Sequence, residues 1–185
     1  VAYTKGAPTD TPVEFFCLSH SGYLKLGITP GQIPADDAFA EGMKARTGLL
    51  DPAPVLWDQP FRGDIDALLL VGMSTKEGAK AHIDTLTAGF PAAGIATVVD
   101  EPGLAIFNDD ENGIEHFGYV DGRSQPLLLK SDVENEANQD GIDVWNPSFS
   151  PIDTALVRDL GGAFEDSYGS YFVFRKLEQN VRAFK

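Results

Sequence analysis

The order of segments along the chain predicts an α+β fold of the ferredoxin-like (βαββαβ-type) kind, on three observations. Apolar runs of strand length occupy 13–19 and 66–73, the clearest helical pattern follows at 74–90, and another apolar stretch follows it at 95–107. Strand, strand, helix, strand is most of such a unit. Its opening strand and helix are missing, which leaves an expected open sheet edge and an uncovered apolar face.

Residues 1–12 (VAYTKGAPTDTP) are rich in Pro, Thr and Gly and read as a linker or N-terminal segment. The strand at 13–19 (VEFFCLS) leads into a short helix at 21–26. Thr29, Pro30 and Gly31 mark a turn, and an Asp after Pro34 is the expected N-cap of a second helix. Phe39, Met43 and Arg46 then fall on one side of that helix at steps of three and four. Pro52, Pro54, Pro60, Gly48 and Gly63 surround Trp57 and predict an ordered loop over 48–64. The strand at 66–73 is strongly apolar, the pattern of a strand buried on both faces. In the helix at 74–90, Ser74 precedes Glu77 by three, a capping-box spacing. Ala79, Ile83 and Leu86 line one face, and Gly89 with Pro91 ends it. The 95–107 stretch (IATVVDEPGLAIF) reads as two short strands about a Pro-Gly turn, or as one strand broken there.

Residues 108–150 read as largely irregular. Together the segments give an incomplete ferredoxin-like domain over 13–126 and irregular connecting loops over 127–166. A strand at 167–174 and the start of a helix at 175–184 then open a second, similar domain over 167–185.

Bulk composition narrows the partners. Among 185 residues there are 14 Lys and Arg against 28 Asp and Glu, a net charge of −14, which repels nucleic-acid phosphates and anionic lipid. The longest apolar run, 67–73 (ALLLVGM), falls far short of the roughly 18 residues a membrane helix needs. Neither nucleic acid nor membrane is therefore expected as a partner. Cys17 is the single cysteine, so no internal disulfide forms. This favours a cytoplasmic location and is compatible with secretion. Val1 in place of Met is what a processed or truncated N-terminus would show.

The segment 116–126, HFGYVDGRSQP, carries an aromatic-Gly-x-x-Asp-Gly core followed by a polar run and Pro. Three further stretches stand in order around it: FFCLSHSGYLKLG at 15–27, FAEGMKARTGLLDPAPVLW at 39–57 and SYFVFRKLEQNVRAF at 170–184. Together these segments resemble the N-terminal half of the dye-decolourising (DyP-type) haem peroxidases. The resemblance implies half of a duplicated, dimeric α+β barrel peroxidase. It implies haem b (iron protoporphyrin IX) as cofactor, and hydrogen peroxide-dependent oxidation of dyes and phenolic or similar aromatic substrates. The remaining C-terminal half, as a second chain or segment, is the implied partner, and a homo-oligomer is compatible.

In residue terms, a peroxidase must carry a proton from one peroxide oxygen to the other before the O–O bond breaks. Asp121 can do this as a carboxylate over the haem. The cofactor-binding set is Asp121, Gly122, Arg123, Ser124 and Gln125, with the last three offering donors to a propionate. Gly118 and Gly122 would remove side chains around Asp121 and let backbone approach a flat cofactor. The plainer reading of Val-Asp-Gly is a tight turn with Asp121 as turn former.

The iron ligand in such proteins is a His. His20 falls at a strand end, His82 on the polar side of its helix and His116 just before the signature. None lies in a segment resembling the family's proximal helix, so all three read as surface or structural, and the resemblance implies no metal ligand in this chain. The proximal His and distal Arg are expected in the missing half, which catalysis would require. Asp132, Glu134 and Glu136 alternate like a calcium loop, but Ala137 stands where such a loop needs Gly, and a solvated acidic segment is the better reading. Trp57, Trp145, Tyr168 and Tyr171 are oxidisable, with core packing their default role. The rival function is a non-catalytic ferredoxin-like binding module acting through a sheet edge. A chlorite dismutase-like haem protein would share the architecture without explaining the Asp-Gly signature.

Overall fold

The structure, a computed structural model, describes residues 11–120, 127–137 and 152–184. It is α+β with small antiparallel sheets, and the chain divides into two units, Val1–Gly103 and Leu104–Lys185.

In the first unit β1 (Val13–Leu18) pairs antiparallel with β2 (Ala67–Gly72), with Val13 opposite Gly72 and Leu18 opposite Ala67. The helix α1 (His20–Lys25) follows β1 directly because Ser19 caps it, its Oγ accepting from the Gly22 N–H at 3.1 Å. Asp36 caps α2 (Asp37–Glu41) in the same way, through the Phe39 N–H at 2.8 Å. The expected continuation of α2 through Met43 and Arg46 does not form. Gly42 takes a φ of 73° and ends the helix, and short 3-10 turns at Met43–Ala45, Thr47–Leu49, Pro54–Leu56 and Gln59–Arg62 carry the chain to β2.

The helix α3 (Lys76–Thr87) is shorter than expected, and its N-cap is Thr75, not Ser74; the Thr75 Oγ1 accepts from the Gly78 N–H at 3.1 Å. Ala79 and Ile83 lie on its half-buried stripe as the periodicity requires. His82 lies there too. Its Nε2 meets the Glu14 carboxylate on β1, which corrects its expected place on the polar side.

Strand β2 is not buried on both faces in this unit. Among the described residues it is hydrogen-bonded to β1 alone, and Leu70 on β2 and Phe15 and Phe16 on β1 remain 42%, 48% and 65% exposed. Among the described residues Ile33 is the one buried apolar side chain.

In the second unit β3 (Ile106–Phe107) pairs with β4 (Gly113–Ile114), and a bridge joins Ile114 to Val120, making a three-lane meander. The residues from 95 to 105 form no strand, so neither version of the strand expected at 95–107 holds beyond its last two residues. The stretch expected as loops, 127–166, contains α4 (Lys130–Ala137), α5 (Ile152–Ala155) and β5 (Val157–Arg158). β5 pairs with β6 (Tyr168–Gly169). The strand expected to continue to 174 stops there, and the helix after it is only α6 (Val181–Phe184). A β-prone sequence holds extended pairing only where a partner lane exists. No helix among the described residues is long and apolar enough to cross a membrane.

Candidate functional site

The signature segment is entered through a hairpin whose geometry follows from four residues. Glu115 closes it: its N–H donates to the Tyr119 carbonyl at 2.9 Å, and its carbonyl accepts from the Gly118 N–H at 2.9 Å. The three-residue loop His116, Phe117, Gly118 between them has Gly118 at a φ of 95°. This pattern is a tight turn closed by a residue in the left-handed region, where an L side chain is strained and Gly is not. A Cβ built on Gly118 would meet nothing within 4 Å. The backbone angle of Gly118 by itself calls for Gly at this position. The Glu115 Oε2 also accepts the Phe117 N–H at 2.7 Å, satisfying a loop amide from the side chain.

This hairpin delivers the chain to Val120, bridged to Ile114. Asp121, Gly122, Arg123, Ser124 and Gln125, the expected acid–base and cofactor-binding residues, lie outside the described residues.

The described histidines stand in three separate settings. His20 packs edge-on against the Phe39 ring at 6.0 Å, His82 meets Glu14, and His116 sits exposed at the hairpin tip. Among the described residues no group of three or more His, Cys, Asp and Glu side chains is arranged to hold a metal ion. The acidic run at 132–136 lies in α4, where Lys130 pairs with Glu134 at 3.5 Å, and a helix cannot wrap a cation as a calcium loop does. At 108–111 the acidic residues form another hairpin turn. There the Asn108 Oδ1 accepts from the N–H groups of Asp110 and Asn112 at 3.1 and 2.9 Å.

Of the oxidisable aromatics, Trp57 is half-buried and donates its indole N–H to the Pro52 carbonyl at 2.7 Å. Its own carbonyl accepts from the Arg62 Nε at 2.7 Å, so it serves as the pin of the 52–62 loop. Tyr168 is 59% exposed on β6, and Trp145 lies outside the described residues.

The elements of the first unit are tied where α1 meets the start of β2. The Ser19 N–H donates to the Asp66 carbonyl at 2.9 Å, the Ser21 Oγ donates to Asp66 Oδ1 at 3.0 Å and the Lys25 Nζ to Oδ2 at 2.7 Å. The Lys25 hydrogen bond holds the Asp66 carboxyl below its ordinary range, and the same contact raises Lys25. Gly22 is buried under this seam; a Cβ there would lie 2.1 Å from the Asp66 carbonyl oxygen.

No family model matches the chain. It is similar to the multifunctional dye peroxidase DyP2 of an Amycolatopsis species, 44% identical over 178 residues, which is 95% of this chain and 37% of the relative. A dye-decolorizing peroxidase of Mycena epipterygia is 29% identical over 175 residues, 90% of this chain and 31% of the relative. Among solved structures, that of DyP2 from Amycolatopsis superposes with a TM-score of 0.82, covering 94% of this chain and 37% of that one. A DyP-type peroxidase from Anabaena, 41% identical, superposes at 0.81, covering 94% and 38%. The chain thus spans about a third of the length of the relatives it matches.

Proposed function

The chain belongs to the dye-decolourising peroxidase family, and from that premise we propose that it is part of a haem peroxidase. Hydrogen peroxide is the oxidant, and dyes and phenolic or similar aromatic compounds are the substrates. The observation that carries this reading is the 44% identity sustained over 95% of the chain. The fold that goes with it is the duplicated ferredoxin-like, dimeric α+β barrel. In it residues 13–126 are an incomplete first domain, 127–166 a connection and 167–185 the opening of the second domain.

Haem b, when bound, supplies the iron that receives peroxide and the electrons that its reduction consumes. The chain's own part is proton handling and cofactor seating. The Asp121 carboxylate takes the proton from one peroxide oxygen and returns it to the other, so that the departing oxygen leaves as water. Gly122 keeps side-chain volume off the cofactor face. Arg123, Ser124 and Gln125 donate hydrogen bonds to a propionate.

The described histidines do not fit as iron ligand, since His20 is packed on Phe39, His82 is tied to Glu14 and His116 lies at an exposed tip. As the family resemblance implies, the proximal His and the distal Arg are assigned to polypeptide beyond these 185 residues, the partner segment of the reading. Two observations support such a partner: the relatives are nearly three times as long, and Phe15, Phe16 and Leu70 expose apolar surface on the β1–β2 sheet.

The test uses the full-length, haem-loaded protein. Asp121→Asn is expected to retain the Soret band and to slow its peroxide-driven change by roughly 100-fold or more. An unchanged rate would remove Asp121 from proton transfer. A wild-type protein that takes up no haem would remove the peroxidase reading and favour the sheet-edge binding module.

A further inference from the structure

We propose that Asn112 is a site of covalent self-modification: its side-chain amide is displaced by the backbone nitrogen of Gly113, leaving aspartate and isoaspartate in the turn that opens β4.

Asn112 and Gly113 form the only Asn-Gly pair in the chain; the other five asparagines precede Asp109, Glu136, Gln139, Pro147 and Val181. The order matters because the reaction closes a small ring through the next residue's nitrogen, and a side chain on that residue crowds the approach. Gly has none.

The structure separates Asn112 from Asn108 in the same turn. Asn108 is half-buried, and its Oδ1 accepts from the N–H groups of Asp110 and Asn112 at 3.1 and 2.9 Å. Its amide is thus held by two bonds that ring closure would break. Asn112 is exposed, and among the described residues no hydrogen bond holds its side-chain amide. The bond from the Asn108 N–H to the Asn112 carbonyl, 3.0 Å, makes Phe107 and Gly113 a non-hydrogen-bonded pair. The Gly113 nitrogen, which is the attacking atom, is therefore not engaged with β3.

No oxidant, reductant or cofactor is needed. The Gly113 nitrogen bonds to Asn112 Cγ, the Cγ–Nδ2 bond breaks, and the proton lost from the Gly113 nitrogen leaves with Nδ2 as ammonia. Water then opens the ring at either of its carbonyls. Opening at one gives aspartate; opening at the other gives isoaspartate, whose backbone runs through Cβ and Cγ. Either product adds a negative charge beside Asp109, Asp110 and Glu111. Isoaspartate also lengthens the backbone by a carbon, so the Asn108 bonds and the register of β3 with β4 are not both retained.

The experiment incubates the full-length protein in mildly alkaline buffer, digests it at intervals, and follows peptide masses with aspartyl and isoaspartyl forms separated. A Cβ on Gly113 meets nothing within 4 Å and its backbone lies outside the left-handed region, so Gly113→Ala changes the attacking residue without forcing the turn. Wild type is expected to gain about one mass unit, confined to the peptide carrying Asn112, with both products present. Gly113→Ala is expected to slow that gain roughly tenfold or more. No gain in wild type, an equal gain at Asn108, or an unchanged rate in Gly113→Ala overturns the proposal. Aspartate without isoaspartate also overturns it, because water would then have attacked the amide directly and no ring would have formed.

Discussion

The seam between α1 and β2 and the meander of 106–120 each depend on a glycine, but they ask different things of it. At the seam Gly22 has an ordinary backbone, and the constraint is room: a Cβ would lie 2.1 Å from the Asp66 carbonyl oxygen. In the meander Gly118 has open space around it, and the constraint is its φ of 95°. The seam is built by close approach of two elements and locked by the Ser19, Ser21 and Lys25 bonds to Asp66. The meander is built by turn geometry and locked by single acceptors, Asn108 in the first turn and Glu115 in the second. One region fails when volume is added, the other when an angle is changed.

Placing alanine at both glycines separates the two modes. Gly22→Ala forces α1 and β2 apart and is expected to destabilise by about 3 kcal/mol, the upper end of overpacking costs. Gly118→Ala meets no neighbour and should cost only the left-handed strain, about 1–2 kcal/mol. Chemical denaturation of the full-length variants gives the ordering. Equal losses, or a larger loss at Gly118, would break the distinction.

The two turns of the meander sharpen it further. Both close three-residue loops with a residue at positive φ, but the first uses Glu111 at 60° where the second uses Gly118. The first turn therefore stores strain that the second, which leads to Asp121, does not. Glu111→Gly is expected to stabilise by about 0.5–1 kcal/mol, visible as a rise in Tm, without altering the rate of the peroxide step. A fall in Tm would show that the bonds to Asn108 already relieve the angle.

The same contrast explains what could be read from sequence. Strand β1 and helix α3 were legible because their signals are local: an apolar run, and Ala79 and Ile83 on one helical face. Helix α2 was overdrawn because periodicity continued through Met43 and Arg46 while Gly42 turned the backbone out of the helix. Extended runs at 95–105 and 171–174 were read as strands from β-prone residues, but pairing is not a local property and no lane receives them among the described residues. The position of His82 was missed for a related reason, since its partner Glu14 lies 68 residues away on β1. At the signature the motif named Asp121, whereas the turn from Glu115 to Gly118 that precedes it rests on backbone angles a motif does not spell out.

The smallest expected effect concerns the ion pair that only the seam possesses. The Lys25 hydrogen bond, opposed by partial desolvation and aided by the Ser21 hydroxyl, lowers the Asp66 carboxyl from its ordinary value of 3.8. A carboxyl lowered on folding contributes stability that is fully present above its unfolded value. That contribution is lost as pH falls through the folded value. Lys25 is raised from 10.5 by the same bond, so its share is present below 10.5 and lost as pH rises through its folded value. Between those limits the pair contributes steadily, and because both side chains are largely exposed the gain is small and screened by salt. Asp66→Asn keeps an acceptor for Ser21 and loses the charge. Its Tm should fall slightly below wild type at neutral pH, and the gap should close as the solution is taken below about pH 3.8. Gly22→Ala, whose defect is volume, should keep its deficit across the same range. A gap for Asp66→Asn that persists unchanged at low pH would mean that shape and hydrogen bonding, not charge, join α1 to β2.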